Sequence, residues 1–86
     1  MALTIDAPDI VETVSDLTIS SSGTAIPYTK TFTSIKVVHA TLQANGSGAV
    51  TVEIDKSSPL APTIKAYNSS HTAVSGAKAD IFLQGY

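Results

Sequence analysis

The groups able to do covalent or metal chemistry in this 86-residue chain are few. They are two histidines, His39 and His71, seven acids, five lysines, and the hydroxyls of eleven serines and eleven threonines. Nucleophilic catalysis needs a serine held against a base that an acid orients. His39 and Asp80 are the base and acid that Ser15, Ser20, Ser21 or Ser22 would have to meet in space, but no Gly-x-Ser-x-Gly turn presents any of these serines. They read as turn formers, and no enzymatic activity is expected. There is no cysteine, which excludes disulfides and thiolate metal sites, and two histidines without a carboxylate set are too few for zinc. Glu53 and Asp55 are close in sequence, but calcium takes roughly six to eight oxygens and no Asp/Asn-rich loop supplies them. No metal or other cofactor is expected.

What remains is binding chemistry. Tyr28, Tyr67 and Tyr86 combine an apolar ring with a polar tip, which suits both sugar stacking and protein interfaces. Tyr67 alternates away from Ile64 and Ala66, so it is expected on the outer side of its strand, as a ligand contact or as half of a cross-strand pair. His39 shares a strand face with Thr41 and Gln43, and either lines an axis between copies or is simply exposed. His71, in Asn-Ser-Ser-His-Thr, reads as a turn tip open to a ligand. Asn45 and Asn68 each open a glycosylation-type triplet, but both are read as turn makers.

Composition narrows the partners. The formal charge is −2, arginine is absent, and the lysines are dispersed at positions 30, 36, 56, 65 and 78. Phosphate neutralisation needs clustered basic residues, so no nucleic acid is expected. Charged residues make up only 14% of the chain, well under the ~25% of ordinary domains, and hydroxyls take their place, as β-structure tolerates. No apolar run approaches the ~18–20 residues that span a bilayer, and the first ten residues have neither the basic nor the apolar region of a signal peptide. A chain this short buries only roughly 60–65% of its unfolded surface. With no disulfide or metal available, a partner chain is the cheapest staple.

The elements that would position these groups follow from period-two patterning. Val50, Val52 and Ile54 alternate with Ala49, Thr51 and Glu53. Upstream, Val38, Ala40 and Leu42 alternate with His39, Thr41 and Gln43, while Ile35 and Val37 fall out of phase, which predicts a bulge near Val37 and Val38. Asn45-Gly46 between these runs is a strong hairpin signal and predicts that they pair antiparallel. Residues 63–68 form a further strand and Ala73 and Val74 a short edge pair. Residues 79–84 close the chain as a central or interface strand, because Ile81 and Leu83 point one way and Phe82 the other. Residues 16–20 and 24–32 read as two more strands, with Pro27 at an edge or bend. Residues 1–15 read either as a short helix capped by Asp6 or as an extended arm, and the arm is adopted. The expected architecture is all-β: a small antiparallel β-sandwich of six to seven strands over residues 16–86, after an N-terminal linker or arm over 1–15.

The span TKTFTSIKVVHATLQ … GAVTVEIDK … PTIKAYNSSHTAVSGAKADIFLQGY, residues 29–86, resembles the C-terminal β-domains of tailed-bacteriophage tail fibres and host-specificity proteins. The pieces that carry the resemblance are Phe32, the Asn45-Gly46 turn, AYNSSHTAVSG and the closing ADIFLQGY, with Phe82 where related patterns often carry Trp. The layout is also similar to trimeric H-type lectin sandwiches, which bind glycans. The resemblance implies a homotrimeric virion protein on the tail; a place on the capsid surface belongs to the decoration-protein alternative. The tail protein would adhere to a glycan or protein receptor on a bacterial cell and contact other virion proteins. On this reading Lys65, Tyr67, Asn68 and His71 touch the receptor, and Ile81, Phe82, Leu83 and Tyr86 pack between copies. A small capsid decoration protein and a carbohydrate-binding module outside any virus are the alternatives.

Overall fold

The computed structural model describes residues 10–44 and 46–86. The described residues form seven strands: β1 (Ile10–Ile19), β2 (Thr24–Ala25), β3 (Ile35–Leu42), β4 (Thr51–Asp55), β5 (Thr63–Tyr67), β6 (Ala73–Val74) and β7 (Ala77–Gly85). They form two antiparallel sheets. One has the order β1-β7-β3; in the other β5 is central, with β4 on one edge and β2 and β6 on the opposite edge. The small antiparallel β-sandwich expected from the alternation is the fold observed.

The last strand is the spine of the first sheet, bonded to β1 along one edge and β3 along the other. Its inner residues Ala77, Ala79, Ile81, Leu83 and Gly85 are all buried. Ile81 and Leu83 meet Ile19, Ile35, Ile64 and Ala66 in one core that also takes in Ile26 and Phe32. Burying each large aliphatic side chain contributes roughly 1.5–3 kcal/mol. No polar or charged side chain is buried among the described residues. Ile81 and Leu83 are therefore committed to the chain's own core, whereas Phe82 is half-buried and Tyr86 exposed on the outer side. Of the four residues expected between copies, only these two are accessible to a neighbour.

The chain passes from sheet to sheet more often than the sequence suggested. Asn45 lies outside the described residues, but the segment around it is not a hairpin: β3 pairs with β7, and β4 with β5. Gly46 and Gly48 both sit at positive φ, 79° and 83°, and carry the chain across the sandwich as an arch. The expected pairing fails on register. A two-residue turn at 45–46 would set Val52 opposite His39 and Glu53 opposite Val38, turning the apolar faces of the two strands to opposite sides. The bulge in β3 falls between Ile35 and Val37, slightly earlier than expected, and lets Ile35 turn inward while Val37 is 43% exposed outside. The expected strand 24–32 is paired only at Thr24 and Ala25. Pro27 has no N–H to donate, and Ile26 and Phe32 drop into the core instead. Of the expected arm or helix, residues 1–9, with Asp6, lie outside the described residues, and Ile10, Val11, Glu12, Thr13 and Val14 are paired with β7.

Two clamps hold these loops. Glu12 is on the inner side of edge strand β1, where its carboxylate accepts from Thr29 N and Oγ1 at 2.7 and 3.1 Å and from Lys30 N at 2.8 Å. The Lys30 N–H first, then the Thr29 donors, hold this carboxyl below its ordinary pKa. Just past the C-terminal end of β7, Tyr86 N donates to Ser34 O at 2.9 Å, and Thr33 and Ser34 N–H groups donate to Tyr86 O at 2.6 and 2.7 Å. This contact is so close that a Cβ on Gly85 would lie 2.0 Å from Ser34 O.

Gly85→Ala has to push the backbone of Ser34 aside. It is expected to cost roughly 1–3 kcal/mol and to lower Tm by at least ~4 °C in a thermal melt. Glu12 has a lowered pKa in the folded chain, so its contribution is complete above the unfolded value near 4.5 and is lost as pH falls through the folded value. Tm measured from pH 7 to pH 3 is expected to fall in the acid limb, and Glu12→Gln should make that limb shallower while changing the neutral-pH value less than Glu12→Ala.

Candidate functional site

The outer face of the second sheet gathers most of the expected binding residues. Strand alternation turns Val52, Ile54, Ile64 and Ala66 inward. The pairs Thr51–Tyr67, Glu53–Lys65 and Asp55–Thr63 therefore share the outer side of the β4–β5 ladder. A shallow groove of about 370 Å³ runs along it, lined by Glu53, Asp55, Lys56, Thr63, Lys65 and Tyr67. Gly23, beside β2, leaves room for the Lys65 stem: a Cβ built there would already touch Lys65 Cε and Cγ at 3.4 and 3.6 Å.

Tyr67 closes one end of the groove. Its ring is stacked on the His71 imidazole, with centroids 4.4 Å apart and planes 8° from parallel. The turn between β5 and β6 sets that geometry. Asn68 Oδ1 accepts from Ser70 N and Thr72 N, both at 3.0 Å. Asn68 N donates to Thr72 O at 3.0 Å, and His71 N to Asn68 O at 2.9 Å. His71 takes a left-handed conformation, φ 59°, which a short polar turn permits. Its Nε2 comes within 3.7 Å of Glu53 Oε2.

The four candidate contact residues thus divide by role. Lys65 and Tyr67 line the groove, His71 backs Tyr67, and Asn68 is spent on the turn. The sequence reading missed Glu53, Asp55 and Thr63 as members of the same surface. Their cross-strand partnership with Lys65 and Tyr67 was hidden by the incorrect pairing of residues 49–54 with β3. Asp55 also anchors the next loop: its Oδ1 accepts from Ser57 N at 2.8 Å, and that N–H chiefly lowers its pKa.

The serine, His39 and Asp80 do not converge. His39 is exposed beside Phe82, its partner on β7. Asp80 instead ties the first sheet together: its Oδ1 accepts from Asp16 N at 3.1 Å and Gln43 Nε2 at 2.9 Å, and Gln43 Nε2 also reaches Asp16 Oδ1 at 2.6 Å. Tyr28 donates its hydroxyl to Leu60 O and meets Phe32 edge-on at 5.5 Å, so it braces a loop. The Lys36 ammonium lies 5.1 Å from the Tyr86 ring centroid. Among the described residues no group of three or more His, Asp or Glu side chains is placed to hold a metal ion.

Asn68→Ala removes the acceptor shared by two turn N–H groups while leaving the sheets intact. It is expected to cost about 1 kcal/mol and to release the ring stack. In NMR spectra the ring-current shifts of the His71 imidazole protons should collapse toward random-coil values, whereas core methyl signals should stay in place.

Comparison with known proteins adds no relative: no protein-family model, no curated protein and no solved structure matches this chain.

Proposed function

We propose that this chain is a non-enzymatic recognition domain of a bacteriophage virion, of the tail-fibre or host-specificity kind, that contacts a receptor on the bacterial surface. The observation that carries the reading is the Tyr67–His71 stack, held by a hydrogen-bonded turn at the end of a polar groove on an exposed sheet face. An aromatic ring fixed before the ligand arrives, with hydrogen-bonding groups beside it, loses little conformational freedom on binding. The resemblance of residues 29–86 to tail-fibre C-terminal domains supplies the biological setting, and with it the expectation of a homotrimer. Phe82 and Tyr86 are the residues available for contacts between copies.

The opposite sheet favours a second reading. Val11 and Val37 flank Gln84, Phe82 lies between Thr13 and His39, and Tyr86 follows. Val11, Val37 and Tyr86 are each about 40% exposed. A partly apolar sheet face of this kind, with the Lys36 ammonium at its rim beside Tyr86, suits docking on another virion protein, which is the task of a capsid decoration protein.

Binding of the fluorescently labelled chain to intact bacteria of a strain panel separates the two. The receptor reading expects saturable binding to at least one strain, reduced at least tenfold by Tyr67→Ala and unaffected by Val37→Ser. Absence of cell binding across the panel, or binding that is indifferent to Tyr67 and lost with Val37→Ser, would reject it.

A further inference from the structure

The groove also carries a statement about the class of ligand, which rests on the receptor-binding reading above. We propose that it takes a neutral, hydroxyl-rich ring, a hexopyranose unit of a surface glycan, and not an acidic sugar or other anion.

The charges around the groove argue for neutrality. Two carboxylates, Glu53 and Asp55, and two ammonium groups, Lys56 and Lys65, line it, with Glu53 directly opposite Lys65 on the ladder. Such interleaving leaves no net field to draw in an ion. An anion that reached Lys65 would meet Glu53 and Asp55 on the same face, and a cation that reached the carboxylates would meet the lysine.

The hydrogen-bonding inventory argues for hydroxyls. Lys56 Nζ already donates to Lys36 O at 3.2 Å, and Asp55 Oδ1 already accepts from Ser57 N. The Lys65 ammonium donates no hydrogen bond among the described residues; its stem lies over Gly23, and Glu53, Asp55 and Thr63 line the same groove. The groove thus offers a donor and acceptors along one small surface. A sugar hydroxyl, which both donates and accepts, satisfies both kinds of partner at once; a carboxylate or phosphate satisfies only the donor. Tyr67 contributes an apolar ring edge and face at the end of the row, where the C–H face of a pyranose can lie, and His71 prevents the ring from turning away. The volume of about 370 Å³ lies near the lower end of the roughly 300–1,000 Å³ range of small-molecule sites, which suits one or two sugar rings.

The test is a chemical-shift titration of the ¹⁵N-labelled full chain at 20 and 300 mM NaCl. The probes are the methyl glycosides of glucose, galactose, mannose and N-acetylglucosamine, together with methyl glucuronide and sialic acid. The expected result is saturable movement of the Glu53, Thr63, Lys65 and Tyr67 amides with at least one neutral glycoside. The dissociation constant should change less than twofold between the two salt concentrations. Tyr67→Ala should weaken binding at least tenfold, and Lys65→Gln, which keeps an N–H donor but removes the charge, no more than about threefold. Movement of these amides only with the acidic sugars, or a tenfold loss with Lys65→Gln, would overturn the assignment of a neutral ligand. If none of the six probes moves the groove amides while Tyr67-dependent binding to cells persists, the ligand class is wrong and the receptor-binding reading stands. If binding to cells is absent as well, both fall.

Discussion

One strand, bonded on both edges and buried along one whole face, governs this molecule. Strand β7 has β1 on one side and β3 on the other, and every residue on its inner side is buried. Those two conditions fix the rest of the first sheet. A one-residue slip would turn Lys78, Asp80, Phe82 and Gln84 inward, into a core that elsewhere contains no polar side chain among the described residues. The flanking strands accommodate this rigid ruler by bulging: β1 between Val14 and Leu17, where Asp16 adopts φ 57°, and β3 between Ile35 and Val37. Both bulges do the same work, restoring inward parity for the apolar residues beyond them. The end of β7 is pinned to residues 33–34 by main-chain hydrogen bonds so tight that only glycine fits at position 85.

The loops that close the sandwich rely on local polar devices because the core is too small to dictate them. Glu12 is an inward-facing charge on an edge strand, a placement that opposes the addition of a further strand and discourages edge-to-edge aggregation. Here the charge is also satisfied, by the N–H groups of Thr29 and Lys30, so the loop after β2 is stitched to β1. The crossings near residues 20–23 and 75–76 are tied to each other in the same way, with Ser21 N donating to Ser75 Oγ and Gly76 N to Ile19 O. This is where the serine-rich composition acts. Hydroxyls serve as turn and crossover partners in a chain whose low charge density offers few ion pairs.

What could be read in the sequence tracks which signals are local. The alternation marks β4 and β5 correctly at Val52, Ile54, Ile64 and Ala66, because side-chain period is a property of each strand alone, whereas Val50, expected on the same face, lies before β4 and is 58% exposed. The burial of Ile81 and Leu83 against Phe82 on the other side follows for the same reason. Pairing is not local, and Asn45-Gly46 misled because a good turn dipeptide says nothing about parity. The parity was present: Val38, Ala40 and Leu42 cannot share a face with Val52 and Ile54 across a two-residue turn. The groove suffered from the same omission. Lys65 and Tyr67 were visible as outward residues of their own strand, but Glu53, Asp55 and Thr63 become their neighbours only once β4 is set against β5. Glu12 left no mark at all in the pattern, since a carboxylate partnered by main-chain N–H groups of a distant loop has no sequence spacing to recognise.

The position of the groove on β5 bears on how well it can bind. In the second sheet β5 alone has partners on both edges, so its backbone is the least free to move. Lys65 and Tyr67 are mounted on that strand, not on a loop, and the turn that follows spends Asn68 on main-chain hydrogen bonds to keep His71 against Tyr67. A site built on a loop of similar length would have to be ordered by its ligand, at about 0.5–1.5 kcal/mol for each immobilised side chain. A single sugar ring offers few contacts, so a receptor site for it can be useful only if most of that cost has been met during folding. On the proposed receptor-binding reading, the hydrogen-bonded turn therefore belongs to the binding apparatus as much as the aromatic ring does, although Asn68 itself faces the backbone.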